Sequence, residues 1–403
     1  VGPRGALEVL RRLGPVDAPL SALPNAGYPE RAGDRLLYPS DPEYFARLTA
    51  ECADAGARLV GGCCGAGPEH IRALKQALAE GGRPVRAEPA EPAAEAGPAE
   101  PAVESEFSRK LASGKKVVLV ELDPPKHMDA EPALEGAEAL ARAGVDAVTV
   151  AENPLAAPRL SNIAMALHIR QRAGAETIIH LTGRDRNLIG LQSTMMGLGS
   201  LGLLNVLAVT GDPPSKGAQE RVTGVFDARS FDLITLLHRM GRGEAPSGED
   251  LRKPVKFCIG AALNPNTRNV DMQLRRMERK IECGARYFLT QPVYSEDRLE
   301  RVVRAQERFG LPVLVGIMPL ASHRNAEFLH NEFPGIVIPE EVRERMRKAG
   351  DAGMEEGVSV AWELLEKAWS DVSGVYVIPP FNRYRMALDL MGRLPDREAA
   401  PFA

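Results

Sequence analysis

The sequence predicts a (β/α)8 barrel preceded by a partial β/α segment, and three observations carry that expectation. Eight short apolar runs recur between residues 116 and 380, separated by segments long enough for a helix, the alternation of a parallel barrel. Several runs end on a polar or charged residue, which is where such barrels build their sites. A stretch of Pro, Ala and Glu, residues 83–106, sets this repeat apart from what precedes it.

In residues 1–82, helix and strand signals alternate. Residues 7–13 form one helical fragment, and 41–55 place Tyr44, Phe45, Leu48 and Cys52 on one helical face. A short strand, 58–61, runs into Gly61-Gly62-Cys63-Cys64-Gly65, and a helix over 68–78 has Pro68 in its first turn. These elements are too few to close a barrel, so they read as the last β/α units of a larger domain. The chain starting on Val rather than Met fits a processed or partial protein. The 83–106 segment has almost no large apolar residue, and its prolines stiffen it into an extended spacer.

Residues 107–403 hold the barrel. Its strands are expected at 116–122, 145–150, 176–181, 203–210, 255–262, 287–291, 313–318 and 375–378, with helices at 132–143, 157–173, 188–196 and 271–283 among those between. The strand ends carry Glu121, Glu152, His180, Asp212, Asn264 and Gln291. Gly197-Leu198-Gly199-Ser200-Leu201-Gly202 matches GxGxxG, but a dinucleotide loop must follow a strand and open a helix. This one follows a helix and precedes a strand, so it reads as a tight turn.

Composition narrows the partners. A net charge of −4 and a pI near 6.1 give no reason to expect nucleic acid or an anionic membrane. No apolar run of about 18 residues is present, and no signal peptide is visible. Five cysteines without disulfide-framework spacing suit a reducing, cytoplasmic setting.

Adjacent thiolates flanked by glycines, Cys63 and Cys64, can be brought toward one zinc ion, or can simply occupy a tight turn; two ligands do not complete a zinc site. Glu121 follows a buried β-branched run, where a low-dielectric pocket would raise its pKa and make it a general acid near neutrality; the alternative is a solvated strand-end acid. Asp123 is expected to be the solvated one. Gly211 before Asp212 allows close approach of a bulky ligand to the backbone, or marks only a turn. His180 alone reads as a core histidine. Gln291 offers donors and an acceptor suited to a fused heterocycle. Two strand-end carboxylates also fit a glycosidase, but sugar sites bring aromatic platforms. The chain is 5% aromatic, and both tryptophans, Trp362 and Trp369, fall in a late helix pattern.

Taken together, residues 107–395 resemble methylenetetrahydrofolate reductase, through 121–125, His180-Leu181-Thr182, 211–214, 261–265, Arg279-Lys280 with Gly284-Ala285, 289–291, 316–319 and Asn382-Arg383. Residues 1–80 resemble the C-terminal part of zinc-dependent homocysteine S-methyltransferases, through Pro24-Asn25-Ala26-Gly27-Tyr28-Pro29 and Gly61–Gly65 with the helix after it. The whole is similar to bacterial proteins that fuse the two. The resemblance implies a barrel that binds FAD, takes hydride from NADH or NADPH, and passes it to 5,10-methylenetetrahydrofolate in a ping-pong reaction. It assigns Glu121 as the acid that opens the folate ring and Asp212 as the acid beside flavin and folate. Gln291, Asn382 and Arg383 fall at folate-contacting positions. Ala151, Glu152, Asn153, His180, Thr210, Gly211, Asp212, Ser230 and Lys280 fall at flavin-contacting positions. For Lys280 the residue-level alternative is an exposed face of its helix. Thr210 stands where many relatives have arginine, Leu263 where an aromatic is common, and Asp123 where a phenylalanine is found. Cys63 and Cys64 match metal ligands, and the third cysteine of that family's site has no counterpart in this stretch. The N-terminal part then either contributes to homocysteine methylation or serves as a docking appendage. Barrels of this kind often form homo-oligomers.

Overall fold

The computed structural model of the protein describes residues 1–14, 16–27, 30–32, 35–38, 40–80, 103–214, 222–333 and 335–395. The chain divides into two compact units, Val1–Glu100 and Pro101–Ala403.

The second unit is a closed barrel of eight parallel strands in sequence order. They are β1 (Val117–Glu121), β2 (Ala147–Val150), β3 (Thr177–Thr182), β4 (Asn205–Val209), β5 (Cys258–Leu263), β6 (Tyr287–Thr290), β7 (Val313–Ile317) and β8 (Gly374–Val377). β8 closes on β1 in the register Gly374↔Val117 to Val377↔Val120. Gly374, at φ +151°, makes that closure possible, because a Cβ there would collide with the Val117 carbonyl.

Period-two alternation sorts the side chains. Val118, Val120, Val148, Val150, Ile179 and Val206 pack outward against the helices. Val117, Leu119, Ile178, Leu207, Tyr287, Leu289 and Tyr376 fill the barrel interior. Strands buried on both faces read as continuous apolar runs, which is why β1 to β4 stand out in the sequence. The strand-start end is filled by Phe107 and Leu111 of the helix Glu106–Ala112, with Phe107 edge-on to Tyr287 at 5.4 Å.

The structure differs from the expected elements in several places; the helix expected over 157–173 begins only at Asn162, and three further differences bear on packing. Residues 255–257 do not extend β5; the Val255 N–H instead donates to the Gly241 carbonyl at 2.8 Å. The helix expected over 188–196 runs on as Leu188–Leu201, so Gly197 and Gly199 lie inside it and only Gly202 makes the left-handed exit. Gly199 faces Val255 and Phe257, where a Cβ would be 3.3 Å from the valine methyl, so the glycine serves packing rather than a turn. At the end of the 83–106 spacer, Ser105 is buried and donates to Asn205 Oδ1 at 2.5 Å while accepting from the Ser108 N–H at 3.0 Å. These last residues therefore pack with the barrel, while 83–102 lie outside the described residues.

The first unit contains helices Pro3–Leu13, Pro42–Asp54 and Pro68–Ala79. Strand Leu20–Ala22 pairs in parallel with Ala57–Val60, and Glu30–Ala32 pairs antiparallel with Arg35–Leu37. Asp41 caps the second helix by accepting from the Tyr44 N–H at 3.0 Å. Leu7, Leu10, Leu48 and Cys52 form one small core, and Phe45, Ala46 and Leu74 another. Among the described residues, no helix is long and apolar enough to cross a membrane.

Candidate active site at the strand ends

The C-terminal ends of the strands surround a cavity of about 420 Å3. A larger cavity, about 1140 Å3, lies at the opposite end, around Leu111, Phe257, Arg286 and Pro312. Volume favours the second, but chemistry favours the first: its walls carry Glu121, Asp123, His180, Asp212, Gln291 and Asn382.

Glu121 ends the apolar run of β1, and 18% of its side chain is exposed. Burial raises its pKa, the neighbouring Asp123 charge adds to this, and the carboxyl reaches about 8 even though the Tyr376 hydroxyl pulls it down. Tyr376, from β8, donates its hydroxyl to Glu121 Oε2. Asp123 is not the solvated acid that was expected. Its side chain is 26% exposed, faces the Arg159 guanidinium at 3.4 Å, and burial raises its pKa against that cation and Lys126. Asn382, at φ +55°, clasps this turn twice, accepting from the Asp123 N–H at 2.9 Å and donating to the Asp123 carbonyl at 2.7 Å. Of the two, only Arg159 answers the acidic side chain; Asn382 holds the backbone and would do so for any residue here.

At the end of β2, Ala151 and Glu152 line the cavity. Glu152 is buried, accepts from the Thr182 N–H at 2.7 Å and Oγ1 at 2.9 Å, and pairs with Arg186. His180 on β3 is 8% exposed, and its Nε2 has no hydrogen-bond partner. Burial pushes it down to about 4, so the imidazole is neutral at pH 7 and its 4.0 Å contact with Glu121 is not an ion pair. Beyond β4, Gly211 and Asp212 line the cavity, and Gly211 adopts φ +86°. Gln291, after β6, and Asn382, after β8, complete the expected residues brought together there.

Other expected residues stand behind or beside this wall. The Asn153 amide donates to Asp185 at 3.0 Å, and Thr210 Oγ1 accepts from the Ser230 N–H at 3.3 Å. Arg383 lies over the exposed Phe381 ring at 5.7 Å, with Nη1 3.2 Å from Met354 Sδ. Asn264 turns away, its Oδ1 accepting from the Asn266 N–H at 2.9 Å. Lys280 is not on an exposed face of its helix. It is buried, donates to the Ala262 carbonyl of β5 at 2.7 Å, and is lowered to about 8 by burial and then Arg276.

Sequence reasoning missed Arg184, Tyr376 and Arg159. Arg184 is 2% exposed and donates to the Asn153 carbonyl at 2.9 Å, the Glu152 carbonyl at 3.4 Å and the Asp212 carbonyl at 3.3 Å. A run of Arg184, Asp185 and Arg186 directly after a buried strand was the available signal.

In the first unit, Cys63 and Cys64 are exposed, with sulfurs 3.9 Å apart. The Pro24–Ala26 turn holds them: the Cys63 N–H donates to the Pro24 carbonyl at 2.9 Å and the Cys64 N–H to Asn25 Oδ1 at 3.2 Å. His70 is committed elsewhere, with Nδ1 accepting from the Gly67 N–H at 3.2 Å and Nε2 2.9 Å from the Ser40 carbonyl. Among the described residues, no group of three or more His, Cys, Asp or Glu is placed to hold a metal ion.

The sequence profile of methylenetetrahydrofolate reductase matches residues 106–384, most of the chain. The chain belongs to the methylenetetrahydrofolate reductase family. Residues 1–78 match the profile of homocysteine S-methyltransferase. Methylenetetrahydrofolate reductase 2 of Saccharomyces cerevisiae is 24% identical over 244 residues, 55% of this chain and 37% of the yeast protein. Methionine synthase of Mycobacterium leprae is 41% identical over 80 residues, 19% of this chain and 7% of that enzyme. The chain thus spans well under two thirds of the length of these relatives. A solved structure, titled as an uncharacterized Clostridium thermocellum protein binding two copies of 5-methyl-5,6,7,8-tetrahydrofolic acid, overlays 71% of this chain and 97% of its own at 14% identity, with a TM-score of 0.48. Within the methylenetetrahydrofolate reductase family frame, the profile spans every barrel strand and the cavity at their ends.

Proposed function

We propose that the barrel reduces 5,10-methylenetetrahydrofolate to 5-methyltetrahydrofolate, using FAD and a reduced nicotinamide donor. The observation that carries this reading is a largely buried carboxyl, Glu121, raised to about 8 at the wall of the strand-end cavity. An acid of that kind is protonated at neutral pH and can donate to a leaving nitrogen.

The lining fits a flavin on two counts. His180 presents a buried, unpartnered Nε2, and a Cβ at Gly211 would crowd Thr182 and Arg184 at 3.1–3.2 Å, so only bare backbone serves there. When bound, FAD would supply the group that accepts hydride and returns it. Ala151, Glu152, His180, Gly211 and Asp212 would hold it from the wall, with Asn153, Thr210, Ser230 and Lys280 behind them. Gln291, Asn382 and Arg383 would orient the folate. A shared cavity of about 420 Å3 at the strand ends, among the described residues, favours donor and folate entering in turn, hence ping-pong kinetics. Five free thiols favour a reducing cytoplasm.

The test is the visible spectrum of the purified protein under anaerobic NADH or NADPH. The expected result is a flavin band that bleaches with one donor and returns on adding methylenetetrahydrofolate. A colourless protein that takes up no added FAD would sink the reading and return the carboxylates to hydrolysis.

For the first unit, the paired Cys63 and Cys64 sulfurs supply half of a zinc site, and homocysteine methylation requires the rest from outside the described residues. Elemental analysis of the protein alone is expected to give well below one zinc per chain. Full occupancy that is lost in a Cys63→Ser/Cys64→Ser variant would show a complete site instead.

A further inference from the structure

Tyr376 sits mid-strand on β8, opposite Leu119 of β1. Its neighbours Val375 and Val377 pack outward, while its own ring joins the barrel interior with Leu119. Glu121 lies two residues further along β1 on the same inward face. A tyrosine leaning along its strand therefore brings its hydroxyl to the acid, and it does so at Glu121 Oε2. The residue is 6% exposed; burial, and then the Glu121 charge, push its own ionisation far above the ordinary range, so it remains a neutral phenol with one proton to donate.

We infer that Tyr376 is a positioning residue for Glu121, its hydroxyl occupying Oε2 and leaving the carboxyl's proton to the other oxygen. A neutral carboxylic acid has one accepting oxygen and one that carries hydrogen. Tyr376 fixes which is which. The inference rests on the reductase reading for its substrate but not for its geometry. When the proton leaves, the Glu121 O–H bond breaks, the electron pair stays on the carboxylate, and the proton passes to the leaving nitrogen of the folate ring. The Tyr376 hydrogen bond then becomes charge-assisted and strengthens as that charge develops.

The groups facing Glu121 are few. Thr149 comes from β2, and the neutral His180 from β3 with Nε2 4.0 Å from Oε2. Asp123 lies on its own chain segment, answered by Arg159 and Lys126. Only the Tyr376 hydroxyl makes a hydrogen bond that favours the ionised form of Glu121; Thr149 Oγ1 has no hydrogen-bond partner.

The experiment compares wild type with Tyr376→Phe by infrared titration of the Glu121 carboxyl stretch in substrate-free protein, the band being assigned by its loss in Glu121→Gln. Removing a donor that favours the carboxylate should move the titration midpoint upward. In turnover, kcat should fall roughly 10–100-fold, with the alkaline limb displaced upward and KM nearly unchanged. On a Glu121→Gln background, the same substitution should cost little more. An unmoved infrared midpoint, or a full additional loss on that background, would overturn the inference. If the wild-type protein carries out no folate reduction at all, the reductase reading fails, while the infrared shift still decides the pairing.

Discussion

Replacing Glu121 by Gln is expected to lower the rate of the proposed folate reduction roughly 10²–10⁴-fold, the usual contribution of a positioned general acid, while making the protein more stable. Both effects come from one fact. The carboxyl titrates near 8 instead of near 4.5 because it is largely buried and faces Asp123. Between those two values the folded protein holds a proton that the unfolded chain has released. The folded state then binds more protons than the unfolded one, so stability falls as pH rises through this window. Each pKa unit is worth about 1.4 kcal/mol, which puts the stability lost by pH 9 at roughly 3–5 kcal/mol. Glutamine has no such titration. Glu121→Gln should match wild type near pH 4 and exceed it increasingly up to pH 9, as read by denaturant midpoints across that range. A gap that does not change with pH would mean that Glu121 is an ordinary solvated acid. Wild-type activity, for its part, should decline as pH rises through about 8, when the acid form is lost.

The barrel was legible because burial on both faces writes each strand as an unbroken apolar run. Its eight strands fall within a few residues of those expected, and the shifts occur where packing, not propensity, decides. Gly197 and Gly199 looked like turn residues, and only the contact of Gly199 with Val255 and Phe257 explains their place inside a helix. The cavity wall was legible in part, since strand order alone brings Glu121, His180, Asp212 and Gln291 to one end. What could not be read is whatever depends on partners distant in sequence. Asp123 looks solvated until Arg159 and Asn382 are placed beside it. Lys280 looks exposed until the Ala262 carbonyl takes its ammonium. Tyr376 looks like any inward residue of a strand until closure of β8 on β1 brings its hydroxyl to Glu121.

Arg184 is the other position where a large effect is expected, and it acts through the frame of the site. Its guanidinium bridges three strand-end loops, donating to Glu152 and Asn153 after β2, to Asp212 after β4, and to Asp185 at 2.6 and 2.8 Å on its own loop. Burial pushes Asp185 up, but Arg184 and Asn153 outweigh it and hold its carboxyl below the ordinary aspartate range. Arg184→Ala removes the cation, leaves three carbonyls without this donor and leaves the Asp185 carboxylate with only the Asn153 amide; because Asp185 and Asp212 are open to water, the cost is about 2–3 kcal/mol. Arg184→Lys should recover less than half of that, because one ammonium on a flexible stem cannot span a planar fork of five donors. Urea midpoints measure the stability, and, on the proposed reductase reading, flavin content on purification measures the site. The loops released are those of Ala151–Asn153 and Gly211–Asp212, so flavin retention should fall with stability in Arg184→Ala and only partly recover in Arg184→Lys. An Arg184→Ala protein within about 1 kcal/mol of wild type, a surface-like effect, with its flavin intact, would mean the three loops hold their positions without the bridge. The geometry predicts the opposite, because a water entering the space left by this 2%-exposed side chain cannot donate to three loops at once as the guanidinium does.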